Sequence, residues 1–146
     1  MKVIFSSSDL PFALAIRFFT GCLWHHCGII YDDMVIESRA ATGVQAVKLQ
    51  DFKNRGDWSI IDYDVADIGK AEQFLLSQLG KPYDWGGAIA YPFRGDWQDR
   101  KKWYCSELAA ATFEAGNSQL VRKGVRSITP RDLFINPYGK VIATSL

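Results

Sequence analysis

The sequence predicts an α+β fold in which a largely antiparallel sheet packs against a helix that begins with a cysteine. Three observations lead there. Segments rich in Val and Ile cluster in the first half of the 146 residues, and helix-like segments fall mostly in the second. Two strand-like segments, 25–31 and 34–38, are separated by Asp32-Asp33, which suits a tight hairpin turn. Tyr104-Cys105-Ser106-Glu107-Leu108 leads into Ala109-Ala110-Ala111-Thr112-Phe113, which reads as a buried helix with Cys105 on its first turn.

The elements follow in chain order. Residues 2–6 form a short apolar run that reads as a strand. Asp9 as a cap, Pro11 in the first turn and Gly21 beyond the end predict a helix through Thr20. After the hairpin, residues 43–49 and 58–64 read as two more strands with partial alternation. Ile68, Ala71, Phe74, Leu75 and Leu79 mark one face of a helix over 67–79, and Gly80 ends it. The cysteine helix spans 104–115 and closes at Gly116. Thr129-Pro130-Arg131-Asp132-Leu133 has the form of a capped helical turn with proline at its first position, and 139–144 predicts a final strand. With no repeat and no low-complexity linker, residues 1–146 read as one domain.

Composition narrows the function classes. At 48% hydrophobic and 14% aromatic the chain can build a core, which argues against disorder. A net charge of +1 provides no basic field for nucleic acid, and Arg100-Lys101-Lys102 and Arg122-Lys123 read as solvated surface. The apolar run before Ser6 is too short for a signal peptide, and no stretch approaches the ~20 apolar residues of a membrane span. Three cysteines (Cys22, Cys27 and Cys105) cannot all pair within the chain, so a reduced, cytoplasmic setting is expected.

The chemistry centres on Cys105. A thiol on the first turn of a helix faces unpaired N–H groups and the positive end of the dipole, which favour thiolate. A thiolate nucleophile needs a base, and the only histidines are His25 and His26. On a strand, His26, Gly28 and Ile30 share one face while His25, Cys27 and Ile29 share the other. Gly28 beside His26 leaves space for another backbone or a substrate. The hairpin brings Glu37 within cross-strand reach of His26, where a carboxylate orients an imidazole and stabilises its charged form. Each residue also has a plainer reading: a free cysteine is commonly a small core residue, and a glutamate on a strand is commonly solvated. Cys22, His25, His26 and Cys27 form a cluster with a metal-like composition, but strand alternation splits it and only Cys105 remains to complete it. No metal and no cofactor are expected.

Leu79-Gly80-Lys81-Pro82-Tyr83-Asp84-Trp85-Gly86-Gly87 resembles the G-x-P-Y-x-W-G-G signature of the NlpC/P60 superfamily of papain-like cysteine hydrolases. Cys105-Ser106-Glu107-Leu108 is similar to the family's D-C-S-G-L helix start, with Tyr104 and Glu107 in place of Asp and Gly. His26-Cys27-Gly28-Ile29 matches its H-x-G-I strand. The order is reversed, with histidine before cysteine. This resembles the circularly permuted branch that includes YiiX/YaeF-like proteins and is related to the lecithin:retinol acyltransferase group. The resemblance covers most of residues 14–134. It implies a papain-like fold with permuted topology, Cys105 as nucleophile with its N–H in an oxyanion hole, His26 as base and Glu37 as the third, polar residue. Tyr83 falls on the family's active-site tyrosine, and Trp85 and Tyr104 join it as candidate substrate contacts.

The implied activity is hydrolysis of an amide or ester through an acyl-enzyme, by a peptidase, an amidase or a lipid-type acyl hydrolase or acyltransferase. The substrate stays open between peptide-like and acylated molecules. Residues 88–104, with Ile89, Tyr91, Phe93, Trp97 and Trp103, read equally as the border of an acyl pocket or membrane-facing lip and as a loop packed on the core. A phage-encoded origin is compatible with the missing signal peptide. The competing reading is a non-catalytic lipid- or peptide-binding module, or a phage structural component, on the same scaffold.

Overall fold

The computed structural model describes residues 1–8, 21–84, 102–122 and 128–146. The helix expected over 9–20 and most of the aromatic insert, including Trp85, lie outside these residues.

Six antiparallel strands form one sheet. They are β1 (Lys2–Ser7), β2 (His26–Tyr31), β3 (Met34–Arg39), β4 (Gly43–Lys48), β5 (Asp57–Tyr63) and β6 (Gly139–Thr144), in the spatial order β4-β3-β2-β1-β5-β6. The β2–β3 hairpin turns through Asp32-Asp33 as expected, with Asp32 in the left-handed region at φ 52°. Four helices complete the described chain: α1 (Leu49–Lys53), α2 (Ile68–Ser77), α3 (Cys105–Ala115) and α4 (Pro130–Phe134). Asp67 caps α2, accepting from the N–H of Lys70, and Thr129 caps α4, accepting from the N–H of Asp132.

Alternation along the strands divides the core in two. Val3, Phe5, Cys27, Ile29, Ile36 and Ile61 meet the buried face of α3, with Leu108, Ala109 and Phe113. A full apolar side chain removed from water is worth about 2 kcal/mol, so this layer holds most of the packing energy. The other face is smaller: Ile4, Val35 and Ile60 gather around Phe52 of α1. The sequence reading missed α1 because it has only five residues and no polar side chain caps it.

Two glycines fix how the sheet carries the site. A Cβ on Gly28 would lie 2.5 Å from Val35 Cγ1 and 3.3 Å from Glu37 Cβ. Of the two occupants expected beside His26, another backbone or a substrate, the structure places the first: β3 fills the space. At Gly43 (φ 72°) a Cβ would lie 2.2 Å from the carbonyl oxygen of Lys81. That closeness lets Val44 N–H donate to Lys81 O at 2.8 Å, while Gly80 N–H donates to Val44 O at 2.9 Å. The Gly80–Pro82 segment is thereby docked on the start of β4.

Gly28→Ala is expected to destabilise the protein by about 1–3 kcal/mol, since Val35 and β3 have to shift to admit the methyl group. Thermal denaturation checks this, and an unchanged melting temperature contradicts the close approach of β2 and β3.

Candidate active site

His26 opens β2 on the Phe52 side of the sheet. Its ring stacks on Phe52 with centroids 5.8 Å apart and planes 23° from parallel. Glu37 lies on the same face, paired in register with Gly28 across the hairpin. The diagonal geometry brings His26 Nε2 to 2.7 Å from Glu37 Oε2.

Glu37 has no exposed surface. A lone buried carboxylate costs several kcal/mol, so its partners decide whether it stays charged. Gln45 Nε2, from the position opposite on β4, donates to Oε1 at 2.9 Å. Arg55, just beyond α1, places one guanidinium nitrogen 2.8 Å from both carboxylate oxygens. Burial pushes the carboxyl pKa up, but bonding and charge from His26, then Arg55 and Gln45, bring it from 4.5 to about 2. The carboxylate is charged at neutral pH.

Cys105 arrives from the other face. It is the first residue of α3, whose start is fastened by Tyr104 N–H donating to Glu107 Oε2 at 3.2 Å. Ser106 Oγ donates to Ile128 O at 2.5 Å and holds the same turn against the segment before α4. The helix packs against β2, and the Cys105 sulfur interacts electrostatically with the His26 ring and with Cys27. Since Nε2 faces Glu37, the ring's Nδ1 is left for the sulfur. Strand alternation led us to expect Cys27 turned away from the His26 site. It does point to the helix side, where it shares the main core cluster with Cys105 and acts on that thiol electrostatically.

Two opposing effects set the thiol's charge. Burial disfavours the thiolate, but Cys27 and the charge of His26 together hold the pKa well below 9.0. The helix N-terminus acts in the same direction. Burial likewise depresses His26, yet the Cys105 sulfur and the Glu37 carboxylate outweigh it and raise the imidazole from 6.5 to about 9. Both shifts favour the imidazolium–thiolate form of the pair.

Two tyrosines flank the sulfur. The Tyr83 ring meets the Tyr104 ring edge-on at 6.0 Å, and the Cys105 charge acts on both phenols. Burial foremost, with the nearby Cys105 charge, pushes both phenols up, so both keep their protons. The Tyr83 segment reaches the site through backbone pairing: Trp103 N–H donates to Pro82 O at 3.2 Å and Asp84 N–H to Trp103 O at 3.2 Å. Ser38 Oγ donates to the same Trp103 carbonyl at 2.7 Å. The sequence reading missed Gln45, Phe52 and Arg55. Gln45 was recoverable from the β3–β4 register, whereas Arg55 follows an unrecognised helix and carries no local signal.

Residues 2–143 match the family of permuted papain-like amidase enzymes, the YaeF/YiiX, C92 family. The fold is similar to the crystal structure of metalloprotein YiiX from Escherichia coli O157:H7, with a TM-score of 0.73 and 16% identity, over 99% of this chain and 96% of that one. No curated protein matches. Among the described residues here, no three His, Cys, Asp or Glu side chains are grouped to hold a metal ion. Both oxygens of Glu37 are already engaged by His26, Gln45 and Arg55.

Arg55→Ala is expected to cost about 2 kcal/mol in urea denaturation, because it strips a buried carboxylate of its cation. The double variant Arg55→Ala with Glu37→Leu is expected to be more stable than Arg55→Ala alone, since no buried charge is then left uncompensated. Equal or lower stability of the double variant contradicts a charged Glu37.

Proposed function

This chain belongs to the YaeF/YiiX family of permuted papain-like amidases, and from that premise we propose that it hydrolyses an amide bond, or a related ester, through a thioester on Cys105. The observation that carries the reading is the 2.7 Å contact of the Glu37 carboxylate with the His26 imidazole, an imidazole whose pKa the Cys105 charge also raises.

The steps follow from the charges. The Cys105 thiolate attacks the substrate carbonyl, and the oxygen becomes an oxyanion. The Cys105 N–H, at the first position of α3, is a preorganised donor for it. The His26 imidazolium then gives its Nδ1 proton to the leaving amine, and the C–N bond breaks. The neutral ring takes a proton from water, hydroxide attacks the thioester, and the thiolate leaves to restore the ion pair. Throughout, Glu37 holds the ring's orientation and the charge on Nε2–H, so it acts as an orienting group.

Tyr83 and Tyr104 border the sulfur as neutral hydroxyl donors, placed to contact the substrate next to the scissile bond. Trp85, the remaining candidate contact, lies outside the described residues. The membership favours amides over esters, and an acyl or peptide-like group suits the thioester chemistry equally.

Alkylation by iodoacetamide followed across pH tests the nucleophile. The rate at Cys105 is expected to be flat through neutral pH and to fall only on the acid side, where the thiolate gains a proton. His26→Ala is expected to slow it about 100-fold at neutral pH. Turnover of a p-nitroanilide, by contrast, is expected to fall as pH rises through about 9, because the leaving amine then lacks the imidazolium proton. A wild-type rate no greater than that of a free thiol at neutral pH contradicts the reading.

A further inference from the structure

Neighbouring residues on a strand face opposite sides of a sheet, and β3 uses two neighbours to reach both halves of the site. Val35 packs with Phe52 on one side, and Ile36 joins the α3 core on the other. Alternation therefore puts Glu37 on the Phe52 side and Ser38 on the α3 side. Glu37 bonds His26 at 2.7 Å. Ser38 is 0% exposed, and its Oγ donates to the Trp103 carbonyl at 2.7 Å. A serine hydroxyl often bonds backbone close to it in sequence, whereas this one reaches 65 positions along the chain.

Trp103 lies two residues before Cys105, and Tyr104 between them is extended, with φ −85° and ψ 155°, before the helix begins. Two extended residues span about 7 Å, so a carbonyl pinned at Trp103 restricts where the first turn of α3 starts. The same carbonyl accepts from Asp84 N–H at 3.2 Å, and Trp103 N–H donates to Pro82 O at 3.2 Å. Val44, opposite Ser38 in the β3–β4 register, docks Gly80 and Lys81 through its own N–H and carbonyl. The segments that carry Tyr83 and Cys105 are thus moored to the Ser38–Val44 pair near the end of β3.

We propose that Ser38 is a positioning residue for the nucleophile: through the Trp103 carbonyl, its hydroxyl sets the place of Cys105 against the His26 that the adjacent Glu37 orients. The proposal deepens the amidase reading given above and rests on it.

The energetics separate position from stability. When the hydroxyl is removed, the Trp103 carbonyl keeps the Asp84 N–H, so no buried acceptor is orphaned. The segment before Cys105 loosens while the fold persists. Catalysis feels this more than stability does, because a reacting group displaced by about 1 Å can slow a reaction about 100-fold. A purely structural Ser38 would instead lower the melting temperature and leave the chemistry of Cys105 in the folded protein unchanged.

Ser38→Ala removes the hydroxyl, while Ser38→Thr and Ser38→Val share one shape with and without it. The isosteric pair keeps the comparison decisive even where Ser38→Ala folds poorly. In each folded variant, checked by circular dichroism, iodoacetamide labelling of Cys105 is followed across pH by mass spectrometry, and p-nitroanilide turnover gives kcat and KM. Ser38→Ala and Ser38→Val are expected to lower kcat about 10-fold with KM nearly unchanged. They are also expected to move the acid limb of the labelling profile to higher pH, since a displaced thiolate loses the support of the imidazolium. Ser38→Thr is expected to stay close to wild type in both. Tyr63→Phe, which removes the buried hydroxyl bond to Leu133 O, is expected to lower the melting temperature and leave the labelling profile in place. Equal kcat and equal labelling profiles for Ser38→Thr and Ser38→Val overturn the proposal, as does a Ser38→Ala variant that loses stability alone. With fast wild-type labelling, those results sink this inference and leave the amidase reading standing. Wild-type labelling no faster than a free thiol sinks the activated thiol on which both depend.

Discussion

Glu37 is a carboxylate with no contact with water, and the site is built around keeping it charged. In a low-dielectric interior that charge is costly unless donors and a cation surround it. Three elements supply them: His26 from the start of β2, Gln45 from β4 and Arg55 from the turn after α1. None of the three is close to another in sequence, so the carboxylate couples sheet register, hairpin and α1 to the state of one imidazole. The charged Glu37 in turn keeps His26 protonated, and protonated His26 helps keep Cys105 ionised.

The site also depends on the two sides of the sheet meeting at one point. The Glu37–His26 pair stands on the Phe52 face, and Cys105 comes from the α3 face. The start of β2 carries the imidazole on one side, and the helix that Cys105 opens packs against the same strand from the other. This explains how a permuted chain order preserves the arrangement. A strand start and a helix start meet through the sheet, and the direction in which loops connect them does not enter the geometry. Burial works against each ionised group separately, yet together imidazolium, thiolate and carboxylate stabilise one another.

Much of this was legible in the sequence. The hairpin through Asp32-Asp33, the helix that begins at Cys105, the capped turn at Thr129 and the last strand follow from turn chemistry, periodicity and capping, all local signals. The closeness of His26 and Glu37 followed from the two-residue turn, which fixes the diagonal pair. Less local features were hidden. The α1 helix is short and lacks a side-chain cap, so Phe52 gave no sign of facing His26, nor Arg55 of facing Glu37. Alternation correctly sent Cys27 to the opposite face but gave no measure of where α3 crosses the strand, so its electrostatic influence on Cys105 was missed. Gly28 was read as space for another backbone or a substrate, and β3 takes it; a sequence shows a missing side chain without showing which neighbour occupies its volume.

The central claim is that Glu37, through His26, holds Cys105 as a thiolate at neutral pH. The most direct measurement is the ultraviolet absorbance of the thiolate, titrated in the wild type, Cys105→Ser and Glu37→Gln. The account predicts that the difference between wild type and Cys105→Ser shows a thiolate already present at neutral pH. It also predicts that Glu37→Gln moves its appearance toward higher pH. A wild-type thiolate that forms only near 9.0, the ordinary value for a thiol, contradicts it.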